Sequence, residues 1–333
     1  MHQPSSGTTH DVIGLGNAIV DVLAHTDDRF LADHSLAKGA MTLIDAEQAK
    51  HLYALVTDTV ECSGGSAANT MVGLASLGSR AAYIGKVCDD ELGAVFTRDI
   101  RASGVTFRSE PADSGTPTAR CLVLVSGDAQ RTMLTFLGAS AELAVEDVDP
   151  ELIRGAGVTY LEGYLWDPEP AKQAFLKAAE IAHSADRLVA LSLSDPFCVE
   201  RHRNEFLELV ENHIDILFAN EEEIVSLYQA TDFEAALRQL PARCRWAALT
   251  RGAAGAVVLH DGERVDVPAE PVDRVLDTTG AGDLFAAGFL HGFTRGHDAS
   301  TCARLGAIAA AEAISHFGAR PERDLEQLTA EVR

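Results

Sequence analysis

Between residues 158 and 250, short apolar runs alternate with longer amphipathic stretches. Runs at 158–161, 188–193, 214–219 and 246–250 read as strands, with helices expected over 170–184, 200–212, 221–228 and 233–243 between them. The strands are apolar throughout rather than alternating, so both faces must be buried. Strand–helix alternation of this kind leaves few options: a mostly parallel sheet covered on both faces by helices. Upstream, 12–15 and 81–84 read as further strands, with helices over 45–56, 67–77 and 91–103. A hairpin follows at 256–260 and 263–267, joined at Asp261-Gly262, and helices at 283–294 and 301–316 close the chain.

One stretch breaks the alternation. Residues 119–125 and 132–137 are β-rich and flank Ser126-Gly127-Asp128, a hairpin pattern with no helix between. The expected architecture is one large α/β core with a small β excursion, and no repeats or low-complexity linkers divide it. Residues 1–10 are polar, without a basic or long apolar segment, and read as a loose tail rather than a signal peptide.

Charge and cysteine usage narrow the function. Against 27 Lys and Arg stand 50 Asp and Glu, a formal net charge of −23, which repels phosphate backbones and argues against a nucleic-acid binder. No apolar run approaches the ~18 residues that span a bilayer, so no membrane partner is expected. The six cysteines form no close pairs, the pattern of a reducing cytoplasmic compartment.

The most informative segment is Asp277-Thr278-Thr279-Gly280-Ala281-Gly282-Asp283, just before an apolar helix. Small residues there let backbone N–H groups approach an anion, and the helix dipole adds positive potential. Asp283 would repel a bound phosphate. It makes sense either as a helix N-cap or as the acceptor of a proton from a hydroxyl attacking that phosphate, its pKa kept low by the helix terminus. No Gly-Lys-Ser/Thr follows, so this is not a Walker A loop. Gly14-Leu15-Gly16 lacks the third glycine of a dinucleotide fingerprint, which leaves an oxidoreductase reading weak.

The segment resembles the D-T-x-G-A-G-D signature of the PfkB, or ribokinase-like, carbohydrate kinases. Gly64-Gly65-Ser66-Ala67-Ala68-Asn69, Asn220-Glu221-Glu222-Glu223 and Thr250-Arg251-Gly252-Ala253-Ala254-Gly255 resemble three further motifs of that family, in its order. The resemblance implies a three-layer α/β/α sandwich over 11–320 with a discontinuous β lid from about 20–41 and 105–137. It also implies ATP- and Mg²⁺-dependent phosphorylation of a primary hydroxyl. By the same resemblance Asp283 is the base, and Gly280, Ala281 and Gly282 form the anion hole. Asp21, Gly65 and Asn69 hold sugar hydroxyls, while Thr250, Gly252 and Gly255 form the nucleotide-phosphate loop. Asn220 and Glu223 organise water and Mg²⁺; Glu223 also suits a helix N-terminus. Asp277 and Thr279 match a loop that holds a monovalent cation such as K⁺ in some members.

Several segments resemble the adenosine kinase branch. Gly14-Leu15-Gly16-Asn17 leads into Asp21, with Asn17 near the nucleobase. Leu161-Glu162-Gly163-Tyr164-Leu165-Trp166 and Ser194-Asp195-Pro196-Phe197 bring Tyr164, Trp166 and Phe197 into view as a base slot, with Phe136 a fourth aromatic. Arg131 matches a lid arginine that reaches the reacting phosphates. Met133, Thr135 and Leu137 share a strand face that either lines a base pocket or packs the lid. Cys88, where many members carry glycine, and Met71, where the signature prefers Ser, Thr or Ala, depart from the pattern. The expected activity is phosphorylation of a ribose 5′-hydroxyl, with adenosine ahead of a free furanose or keto sugar. A non-catalytic nucleoside or sugar sensor on the same fold is the reading from another class. Both a monomer and a homodimer fit this pattern.

Overall fold

The computed structural model describes residues 7–128 and 130–332. The tail expected over 1–10 lies outside the described residues at 1–6, while His10 already opens the strand His10–Leu15. A nine-stranded sheet runs Glu263–Val267, Ala256–His260, Trp246–Thr250, Ile216–Asn220, Leu188–Ser192, Ala156–Glu162, His10–Leu15, Ala81–Ile84, Thr106–Phe107 from edge to edge. Pairing is parallel from Trp246–Thr250 to Thr106–Phe107, and the hairpin at the opposite edge is antiparallel.

Successive residues of a strand face opposite sides, so each strand feeds two cores. Val12, Val158, Tyr160 and Phe218 face a core built with helices Ser66–Ser76, Ala281–Thr294 and Ala299–Ala313. Ile13, Leu161, Leu191 and Leu217 face another, built with Glu169–Ser184, Pro196–Asn212 and Glu221–Tyr228. The result is the three-layer, ribokinase-like sandwich.

The excursion is a separate five-stranded sheet, ordered Met41–Leu43, Arg131–Phe136, Ala119–Val125, Ile19–His25, Val60–Gly64. It departs from the expected lid at two places. Val60–Gly64 joins it, antiparallel to Ile19–His25, although its mixed residues gave no strand signal. Thr106–Phe107 instead extends the large sheet beside Ala81–Ile84. Two helix boundaries differ by four residues or more. Asp195 caps a helix that starts at Pro196 rather than 200, with non-helical torsions at His202. The helix expected to reach 243 ends at Leu237, short of Pro241, whose ring disfavours helix at the residue before it.

Candidate active site

The parallel strands end together. Leu15, Glu162, Ser192, Asn220 and Thr250 deliver the following loops to one edge, the edge where open α/β sheets bind ligands. Above it, helix Ala281–Thr294 starts from Gly280 at φ 78°, a left-handed turn that glycine adopts without strain. A Cβ on Gly280 would stand 2.5 Å from that of Ala319, whereas one on Gly282 would meet open space. The glycine-rich turn is thus packed behind and open in front.

Asp283 lies in the first turn of this helix. Ser66 Oγ donates to its Oδ1 at 2.6 Å and Asn69 Nδ2 to its Oδ2 at 3.0 Å. Burial raises the Asp283 carboxyl above its ordinary pKa, against the pull of those two donors and of Arg320. The depressed value expected from the helix terminus is therefore corrected: removing the carboxylate from water outweighs what the donors return. Both donors sit on helix Ser66–Ser76, whose N-cap Gly65 has φ 95°; a Cβ there would collide with the Asn17 carbonyl.

On the side of the smaller sheet, Asp21 sits so close to Gly64 that a Cβ on that glycine would overlap its carboxylate. Burial pushes Asp21 up to about 6, with Arg320 and Arg131 lowering it and Asp283 raising it. Asn69 Oδ1 is buried without a hydrogen-bond partner, an acceptor that suits a ligand hydroxyl. Met133 is half-buried on Arg131–Phe136, two strands from Asp21 in the same sheet.

On the other side of Asp283 opens a cleft of about 1000 Å³. Asn220, Glu223, Thr250, Gly252 and Gly255 all line it, together with Ala281, Gly282 and Asp283. Ala248, Phe285, Ala307 and Ile314 supply apolar wall. Gly252 and Gly255, at φ 54° and 89°, turn the loop that follows Thr250. Asn220 and Glu223 form a reciprocal cap: Glu223 N donates to Asn220 Oδ1 at 2.8 Å, and Asn220 N donates to Glu223 Oε2 at 2.9 Å. Asn220 Nδ2 donates to Glu223 Oε1 at 2.6 Å, yet burial still pushes Glu223 up to about 7. An apolar slot with a glycine-turned polar end suits a nucleotide. A desolvated carboxylate at that end suits the hydrated cation that accompanies its phosphates.

Residues 36–325 match the model of the pfkB family of carbohydrate kinases. The chain belongs to that family. It is 50% identical to a solved adenosine kinase from Sinorhizobium meliloti, with a TM-score of 0.89 over 97% of this chain and 99% of that one. A probable sugar kinase from Rhizobium etli is 48% identical, with a TM-score of 0.89 over 97% and 98%. A yeast adenosine kinase, from Saccharomyces cerevisiae, is 26% identical over 93% of this chain and 96% of its own. The protein is an ATP-using kinase of a small molecule, a sugar or a nucleoside. Among the described residues no helix is long and apolar enough to cross a membrane.

Within this PfkB kinase some expected residues fall elsewhere. Asn17 is 1% exposed and held at both ends: its Nδ2 donates to Glu162 Oε1 at 2.8 Å, and its Oδ1 accepts from Ser140 Oγ at 2.9 Å. It braces the loop instead of facing a base. Phe197 is 73% exposed, because it sits in the first turn of a surface helix. Trp166 packs in the core between Phe175 and Phe206, its Nε1 donating to Glu205. Tyr164 is half-buried, with its hydroxyl on the Ser194 carbonyl at 3.2 Å and its pKa raised by burial and by Asp195, Asp283 and Glu223. The Asp277 carboxylate, expected with Thr279 to hold a monovalent cation, is instead occupied by protein donors, one of them Arg131 at 2.6 Å.

Three residues that support the site escaped the sequence reading. Ser66 lies inside the Gly64–Asn69 motif and could have been singled out there. Glu162 is buried at a strand end, pushed up to about 7 by burial while accepting from Asn17 and Ala67. Arg320 donates to the Ser63 and Ala68 carbonyls from a distant loop, a contact with no local sequence signal.

Proposed function

We propose that this kinase transfers the γ-phosphoryl group of ATP to the 5′-hydroxyl of a ribose, with adenosine as the acceptor. The observation that carries the reading is the place of Asp283. It lines the large cleft and is simultaneously held by Ser66 and Asn69 beside Asp21. A base at that junction faces a nucleotide on one side and a polyol on the other.

Asp283 takes the proton of the acceptor hydroxyl as its oxygen bonds to the γ-phosphorus. The bond to the β–γ bridging oxygen breaks, and ADP leaves. Gly280, Ala281 and Gly282 present the helix start to the transferring group, where fixed N–H dipoles act without reorganisation. Arg131 Nε and Nη2, buried and without protein partners, are donors for the same group. Asp21 and Asn69 hold adjacent ribose hydroxyls, and Gly65, packed against the Asn17 carbonyl, turns the backbone into the helix that carries Asn69. Thr250, Gly252 and Gly255 receive the nucleotide phosphates. Glu223 would hold, through water, the Mg²⁺ that accompanies the nucleotide, and that ion would neutralise charge on the phosphates.

For adenosine itself, the support is the likeness to adenosine kinases and the place of Tyr164, near enough to Asp283 for that carboxylate to help raise its pKa. A free sugar is the second reading, favoured by Trp166 and Phe197 lying away from any base slot. ADP release with Mg²⁺-ATP, measured against adenosine, inosine, guanosine, cytidine, ribose and fructose, separates them. Highest kcat/KM on adenosine supports the nucleoside reading. Highest kcat/KM on ribose or fructose replaces it while leaving Asp283 as base. ATP consumption with none of them places the acceptor of this kinase outside both readings.

A further inference from the structure

Asp277 begins the glycine-rich turn, and the structure fills its carboxylate. Oδ1 accepts from Thr279 N at 3.1 Å and Thr279 Oγ1 at 2.8 Å. Oδ2 accepts from Gly318 N at 2.9 Å and pairs with Arg131 Nη1 at 2.6 Å. A carboxylate offers about four acceptor positions, and all are taken. Both partners are shielded, with side chains 10% and 9% exposed. The guanidinium also lies over the Phe317 ring, 5.1 Å from its centre, which leaves a small cation no open approach from that face. A second positive charge here would face Arg131 in a desolvated place, where repulsion is poorly screened.

We propose that Arg131 takes the place of an activating monovalent cation. Its fixed charge neutralises Asp277 and orders the turn that becomes the anion hole, so this kinase needs no K⁺. Arg131 comes from the smaller sheet and Asp277 from the loop before helix Ala281–Thr294. The pair therefore joins order in the anion hole to the position of that sheet. One arm of the guanidinium is spent on Asp277, while Nε and Nη2 remain for a phosphate. Arg131 is thus also a positioning residue, acting on the turn through Asp277.

The test compares KCl with tetramethylammonium chloride at equal ionic strength, on wild type and Arg131→Ala. Melting temperature is the first readout, and it needs no acceptor, so a wrong substrate assignment leaves it intact. Wild type should melt alike in both salts, whereas Arg131→Ala, with Asp277 exposed, should gain about 3 °C or more in KCl only. Turnover should follow: wild-type kcat the same within about twofold, and the variant's low kcat raised about fivefold or more by KCl. Should Arg131→Ala fail to fold, Arg131→Gln keeps the stem and a donor without the charge and carries the same reading. Activation of wild type by KCl of about tenfold overturns the proposal. So does a variant as indifferent to K⁺ as wild type, since Asp277 would then hold no latent cation site.

Discussion

Asp283 is held by two donors and surrounded by protein, so its charge state and its aim are set by its neighbours. Replacing it with asparagine keeps the shape and removes the proposed proton acceptor. Asp283→Asn should melt near wild type and lose about 10²–10⁴ in kcat, measured by coupled ADP release. Near-normal turnover would remove the base. Ser66→Ala is the subtler change. The Ser66 hydroxyl stabilises the ionised carboxylate, so its loss should raise the pKa of Asp283 further. The acid limb of the pH profile of kcat/KM should then move to higher pH; a limb that stays in place would separate Ser66 from the base.

At the scale of elements, the helix carrying Asp283 is held by close backbone approach. A Cβ on Gly288 would collide with the Leu305 carbonyl of helix Ala299–Ala313, and one on Gly306 would stand 2.7 Å from the Phe285 carbonyl. Small residues let these two helices touch at the backbone, an arrangement with no slack. Gly288→Val should force them apart, costing about 1–3 kcal/mol by chemical denaturation. The displaced helix should also lower kcat, although Gly288 does not itself line the cleft. Full activity in a destabilised Gly288→Val would show that Asp283 is placed by Ser66 and Asn69 alone. The helices were legible in the sequence because their apolar periodicity and caps are local: Asp45, Asp90 and Asp298 all accept from an N–H three residues on. Val60–Gly64 was not legible, since its pairing with Ile19–His25 is a long-range choice that its own residues do not encode.

For the whole molecule, the site's carboxyls have a shared consequence. Burial pushes Glu162 and Glu223 up to about 7 in the fold, from an ordinary 4.5. Between those values the folded chain holds protons that the unfolded chain has released. Stability therefore falls as pH rises through the window, and the loss is complete above about 7. His10 and His213, whose pKa values burial lowers, act in the opposite sense below 6.5. The melting temperature should accordingly be higher at about pH 6.5 than at about pH 8. In Glu162→Gln this difference should shrink. A flat profile across that interval would show that both carboxylates are fully ionised and compensated in the fold.

The parallel sheet and the glycine-rich helix start could be read from the chain's own residues, and the family resemblance singled out Asn220, Glu223, Thr250, Gly252 and Gly255, which line one cleft. Each rests on residues close in sequence, where backbone geometry and a short motif carry the information. The five converge because parallel strands deliver their loops to one edge. What only the tertiary structure decided were contacts between distant segments: Ser66 and Asn69 on Asp283, Arg320 on Ser63, Arg131 on Asp277. The aromatics show the same limit. Tyr164, Trp166 and Phe197 look alike as sequence, yet one is half-buried near the site, one fills the core and one faces solvent. Residue type sets what a side chain can do; burial and charge, fixed by the folded neighbours, select which of those things it does.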